Sequence, residues 1–200
     1  LKTRFGNLGN ILNFDNLTEE NIYVLDSPIL TNSQFNKFKK FFSKKIKVID
    51  CTFDISLSLK DRIEAIREET ETAVREGSTT LILSDKNISN QKASIPSILT
   101  VGAVHSHLVK QGLRGYCSLN VECSDALDTH SFAVLIGVGA TTVNPYLAID
   151  SIYQRFEKKL FGKADFESCV VKFKKSIDAG LLKIMSKMGI SVISSYRGGC

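Results

Sequence analysis

Polar residues at the ends of apolar runs are the first places where this chain could do chemistry. Asp50 and Thr52 follow KIKVI, Ser84 and Asp85 close TTLIL, Glu122 ends YCSLNV, and Asn144 ends TTV. If those runs are parallel strands, the six residues collect at one sheet end, where such folds bind ligands and place catalytic groups. Together they form a polar rim able to hold a small ligand. Each is also a residue type that caps helices or closes turns, and that reading is preferred for them. His105-Ser106-His107 suggests a metal pair. Two positions on a helix are about 200° apart around its axis, so these rings cannot share an ion. With His130, near a helix start, they read as structural hydrogen-bonding groups. Gly137-Val138-Gly139 lacks a third glycine and precedes a strand, whereas a dinucleotide fingerprint follows one, so it reads as a helix end. There is no serine elbow, phosphate loop or His-Glu-x-x-His. The residues alone show no catalytic constellation.

The elements that must position the rim alternate in type. After a leading loop over 1–20, a short apolar piece ends at Asp26-Ser27-Pro28, and Thr31 or Asn32 caps a helix bearing Phe35, Phe38, Phe41 and Phe42. A strand is expected over 45–53 and a helix over 57–76 with a face of Leu59, Ile63, Ile66, Thr70, Ala73 and Val74. Arg67–Glu71 and Glu71–Arg75 pairs are expected on its outside. Strand 79–84 is followed by a polar loop over 85–93. A helix from Pro96 to about Gly112, a strand over 116–122, a helix capped by Asp128 or Thr129, a strand over 141–144 and a helix over 147–160 come next. One or two helices, interrupted near Gly180, cover 165–187, and a last strand starts over 191–196. Strand-plus-helix units recurring about every 30 residues predict an α/β fold of parallel βα repeats, either an incomplete (β/α) barrel or a doubly wound, flavodoxin-like sheet.

The net charge of +5 raises the question of nucleic acid. Its lysines are densest opposite the phenylalanine stripe, which is an amphipathic helix rather than an exposed stacking platform, so no nucleic-acid partner is predicted. No apolar run is long enough to span a membrane, and no signal peptide is visible. Five cysteines, at 51, 117, 123, 169 and 200, form no CxxC or paired framework and indicate a reducing cytoplasm. Cys51 and Cys117 read as small strand hydrophobes. The lack of an initial Met leads to the expectation of a segment from a longer chain.

Three stretches carry a family resemblance. IPSILTVGAVHSHLVKQGLR with HSFAVLIGVGATTVNPYLA, LDSPILT, and GLLKIMSKMGIS with SYRG occur in the order found in the glutamate synthase family, and the match runs from Leu1 to Gly199. The chain resembles the central domain of the large subunit. It departs from the pattern at Ser106, Ser131 and Val138 and in closing on Gly199-Cys200.

The resemblance implies 1–20 as a lead-in following an amidotransferase domain, 21–189 as the central domain, and 190–200 as the start of an FMN-binding barrel. It implies an oxidoreductase that makes glutamate from glutamine and 2-oxoglutarate. FMN and an iron–sulfur cluster are expected in the full-length protein and no cofactor, metal or catalytic residue in this segment. The cluster's three closely spaced cysteines belong to the later domain. Partners would be the amidotransferase and FMN domains of the same chain, with a small NAD(P)H-oxidising subunit or ferredoxin. The segment would be a scaffold and a wall of the ammonia channel, with Asn10 and Thr31 as channel candidates, although Thr31 also reads as a helix cap. The competing reading is a free-standing, non-enzymatic α/β module that binds a small ligand at the rim.

Overall fold

The protein is described from a computed structural model that covers residues 1–5 and 22–199. Its elements in chain order are β1 (Thr3–Phe5), β2 (Tyr23–Leu25), α1 (Asn32–Phe41), β3 (Ile46–Asp50), β4 (Thr52–Asp54), α2 (Leu59–Arg75), β5 (Thr80–Ser84) and β6 (Lys92–Ser94). They continue with α3 (Ser97–Lys110), β7 (Ser118–Glu122), α4 (Thr129–Gly137), β8 (Thr142–Asn144), α5 (Tyr146–Glu157), α6 (Phe166–Lys187) and α7 (Ile193–Tyr196).

The central sheet is parallel, in the order β3-β5-β7-β8, and Ile29 adds one parallel bridge beyond β8. Sequential order without reversal is barrel winding, because a doubly wound sheet reverses at a switch point and carries helices on both faces. The packing agrees. Ile49, Leu81, Leu83, Leu119, Val121 and Val143 share one core with the crossover helices α2, α3 and α4. Ile82, between Leu81 and Leu83, points the other way and packs with Phe35, Phe38 and Phe42. Helix α1 therefore lies on the face that a closed barrel would turn inward. The predicted phenylalanine stripe is real, with Phe35 and Phe38 buried and Phe41 half exposed. Its partner is the sheet itself.

Local chemistry explains the helix limits. Thr31 caps α1 in a capping box: its hydroxyl accepts from the Gln34 N–H at 3.2 Å, and the Gln34 side chain accepts from the Thr31 N–H at 3.1 Å. Ser58, Asp128 and Asp165 cap α2, α4 and α6 in the same sense. Of the pairs expected on α2, Glu71–Arg75 forms, whereas Arg67 pairs with Glu64 at 2.6 Å. Glu71 is instead shared with His107.

Four expectations are corrected. The predicted strand 45–53 breaks at Cys51, because the Asp50 carboxylate accepts from both the N–H and the hydroxyl of Thr52 and turns the chain. The continuation is β4, which pairs antiparallel with β6, inside the region expected to be a loop. Helix α6 runs unbroken through Gly180. A Cβ there would come within 2.4 Å of the Thr129 side chain, so this glycine permits close packing of α4 on α6 rather than breaking the helix. Finally, 193–196 is a single helical turn, with Ile193 and Tyr196, three apart, buried in the main core.

Candidate functional site

The register of the sheet brings four of the rim residues into one cross-strand row. Asp50 lies opposite Ser84, Ser84 opposite Glu122, and Glu122 opposite Asn144. Ending at the same level on neighbouring strands and alternating in phase with Ile82, their side chains rise from the inner face under α1.

Glu122 is the centre of this row. It is 3% exposed. It accepts from the Ser84 hydroxyl at 2.7 Å and from Lys39 at 3.1 Å, and Lys86 lies 3.0 Å from the same oxygen as Lys39. Burial works against its charge, but the bonds from Ser84 and Lys86 and the field of Lys39 outweigh it and hold the carboxyl below its ordinary range. Asn144 donates to the Leu30 carbonyl at 2.9 Å and to the Asn32 side chain at 3.0 Å. Lys39 and Asn32 are at opposite ends of α1, so the row pins that helix at both ends. Asp50 takes a further bond from Asn87 at 3.0 Å and is likewise held low, its hydrogen bonds overcoming burial.

Asp85, one residue past the row, turns to the outer side. One of its oxygens accepts from the N–H and hydroxyl of Ser124, at 2.9 and 2.6 Å, while the other is buried without a partner among the described residues. The Tyr146 phenol faces it, and burial and the Asp85 charge push that phenol up. None of Asp50, Ser84, Asp85, Glu122 and Asn144 caps a helix, which corrects the cap reading; Asp50 closes a turn. Their chemistry is spent on fastening α1 and the neighbouring loops, so the rim is closed by the protein's own helix.

The open concavity lies beside it. A cleft of about 960 Å³ runs between the start of α1 and helices α5 and α6, with Thr31, Ser27, Lys174 and Asp178 on its wall. Ser27 donates to Asp178 at 2.6 Å, and burial pushes the Asp178 carboxyl up. Burial pushes Lys174 down, and its ammonium is 3.4 Å from the Gln34 side chain. Thr31 thus both caps α1 and faces the cleft. Asn10, the other channel candidate, falls outside the described residues.

The histidines behave as structural groups. The His107 Nε2 pairs with Glu71 at 2.7 Å, and the His105 Nδ1 accepts from Arg114 at 3.1 Å. The two rings thus have separate partners, and His130 is exposed. Among the described residues no three His, Cys, Asp or Glu side chains gather as a metal site. Burial pushes the Cys51 thiol up to about 12, which leaves it unreactive. Sequence reading missed Lys39 and Lys86 as partners of Glu122, and also the cleft. The i, i+4 spacing of Lys174 and Asp178 is the one signal that could have drawn attention to the latter.

Fold and site together define a half-barrel α/β domain whose ligand-facing end is sealed by its own first long helix. The chain belongs to the glutamate synthase central domain family, whose model it matches over residues 1–200. It is 52% identical over its full length to the glutamate synthase [NADPH] large chain of Azospirillum brasilense, covering 13% of that protein. It is 41% identical over 87% of its length to the Bacillus subtilis glutamate synthase [NADPH] large chain, of which it covers 11%. It is 36% identical over 99% of its length to the ferredoxin-dependent glutamate synthase of Pyropia yezoensis, of which it covers 14%. The chain thus spans a small part of each relative. Among solved structures, a mutant flavocytochrome b2 with benzoylformate superposes with a TM-score of 0.53 at 14% identity, over 82% of this chain and 36% of that one. That likeness concerns the fold alone and agrees with a partial barrel.

Proposed function

We propose that this chain is the central connecting domain of a glutamate synthase, an oxidoreductase that makes glutamate from glutamine and 2-oxoglutarate. In this reading it does no chemistry itself. It holds an amidotransferase domain and an FMN-binding domain in register and forms part of the wall through which ammonia passes. FMN and the iron–sulfur cluster belong to the parts of the enzyme outside this span. The electron donor is ferredoxin or a small NAD(P)H-oxidising subunit, both kinds of donor being represented in the relatives' names. The enzyme works in the cytoplasm. No helix among the described residues is long and apolar enough to cross a membrane. The lead-in ends near residue 20, and the FMN-binding domain starts near residue 190.

The observation that carries the scaffold reading is the sealed rim. A domain that used its strand ends for catalysis would leave them open to a substrate, whereas Glu122 and Asn144 are committed to α1. This also removes the open site that a rim-binding module would need.

Asn10 and Thr31 are proposed as channel-wall residues. A path for neutral ammonia needs a few hydrogen-bonding groups and no charge that would trap ammonium. The Thr31 hydroxyl on the cleft wall supports this reading. The test is Thr31→Val in the full-length enzyme, measuring glutamine-driven synthesis, ammonia-driven synthesis and glutamine hydrolysis. Loss of glutamine-driven synthesis with the ammonia-driven rate preserved is the expected result. Equal scaling of all three rates would leave Thr31 as a helix cap.

A further inference from the structure

At the amino-terminal end of the sheet, opposite the sealed rim, two arginines face each other's fields with no acid between them. Arg114 comes from the turn before β7 and is held from several sides. Its Nε donates to the His105 Nδ1 at 3.1 Å, and its terminal nitrogens donate to the carbonyls of Cys117 at 2.6 Å and Gly139 at 2.9 Å. The Gly139 position is tight: its φ is +125°, and a Cβ would come within 2.5 Å of the His105 ring. Arg197 follows α7, where the Gly198 N–H donates to the Gly137 carbonyl at 2.7 Å and brings the chain end against the same corner.

Arg114 is satisfied, but Arg197 is not. Its Nε is buried without an acceptor, and neither arginine is in an ion pair among the described residues. His105 offers no compensation. Burial and both guanidinium charges push its pKa down, so it is neutral, and its Nδ1 is already an acceptor for Arg114. Burial, with Arg114 nearby, pushes Arg197 down to about 10, which still leaves it charged at neutral pH. A half-buried, doubly cationic corner with an orphaned N–H is costly unless an anion completes it, and a guanidinium fork matches an oxyanion.

We propose that the corner formed by Arg114, Arg197 and His105 is a binding site for one oxyanion group, a carboxylate or a phosphate, with Arg197 as its principal ligand. The group is supplied either by an acidic side chain elsewhere in the enzyme or by a free small anion. The proposal is independent of the channel reading above.

The test is hydrogen exchange of the segments 137–141 and 193–199 in the full-length enzyme. It is run with and without inorganic phosphate at ionic strength held constant with chloride. Arg197→Met keeps the aliphatic stem but removes the charge, and it is expected to speed exchange about tenfold, the loss of one charge-assisted hydrogen bond. Arg197→Lys keeps the charge and should retain most of the protection. If the anion is free, phosphate slows exchange in the wild type and has no effect on Arg197→Met. If it is a side chain of the enzyme, phosphate leaves the wild type unchanged while Arg197→Met still loosens it. The proposal is overturned if Arg197→Met exchanges at the wild-type rate or more slowly, because an unpaired buried charge is better removed. It is also overturned if Arg197→Lys is as loose as Arg197→Met, which would make the guanidinium's packing the source of protection.

Discussion

Lys39, in the last turn of α1, donates to Glu122, at the end of β7, across 83 residues of sequence and a distance of 3.1 Å. This contact, with the Asn144–Asn32 bond at the other end of the helix, turns α1 into a bar across the carboxyl ends of the sheet. Breaking it should cost stability unequally from the two sides. Glu122→Gln leaves two lysines without their charge partner and should cost about 2 kcal/mol. Lys39→Met should cost less than about 1 kcal/mol, because Lys39 is about one-third exposed and Lys86 and Ser84 still serve the carboxylate. Urea titration of the full-length enzyme, read by hydrogen exchange in α1, would rank them. Lys39→Met costing more than Glu122→Gln would refute this account of the latch.

The same row sets a pH dependence. Glu122 and Asp50 both lie below their ordinary values of 4.5 and 3.8. A carboxyl whose folded pKa is depressed contributes stability that is present above its unfolded pKa and lost as pH falls through its folded one. Protection of α1 should therefore hold from neutral pH down to the ordinary carboxylate range and fall beneath it. Glu122→Gln should flatten part of that acid limb. An unchanged acid limb in Glu122→Gln would remove Glu122 from the account.

Asp178 carries the opposite sign. Burial raises its pKa, so the folded state holds the proton more tightly than the unfolded one, and stability falls as pH rises through that range. Asp178→Asn keeps an oxygen to accept from Ser27 and should be neutral or slightly stabilising at pH 7, by less than about 1 kcal/mol. Marked destabilisation, read by the same exchange experiment over α6, would mean that its charge is needed.

Helix contacts give a third kind of test. Gly180→Ala should destabilise by about 1–3 kcal/mol, because the added methyl meets the Thr129 side chain. Thr129→Ala removes the two nearest atoms and should rescue much of that loss, since alanine is otherwise the better helix residue. Strict additivity in the double variant would show that the two side chains do not meet.

Much of this arrangement was legible in the sequence. Ser84, Glu122 and Asn144 stand out as polar ends of apolar runs, and three-residue spacing marks the stripe that buries Phe35 and Phe38. The partners were not legible. Nothing local to Lys39 or Lys86 distinguishes either from neighbouring surface lysines, since their meeting at Glu122 depends on how α1 crosses the sheet. The break at Cys51 depends on pairing between β4 and β6, two short strands joined only in space. Gly180 read as a helix break because glycine lowers helix propensity; its actual role is a close approach set by the position of α4. At 193–196, alternation and one helical turn place apolar residues too similarly over so few positions to be told apart.

The central claim is that the strand-end row fastens the domain and takes no part in the reaction. Its most direct test is the ammonia-driven rate of glutamate formation by full-length enzyme carrying Glu122→Gln, at a temperature where the variant remains folded. The account predicts turnover within about threefold of wild type alongside measurable loss of stability. A fall of about 10²–10⁴-fold with the fold intact, the size expected for a lost general acid or base, would contradict it.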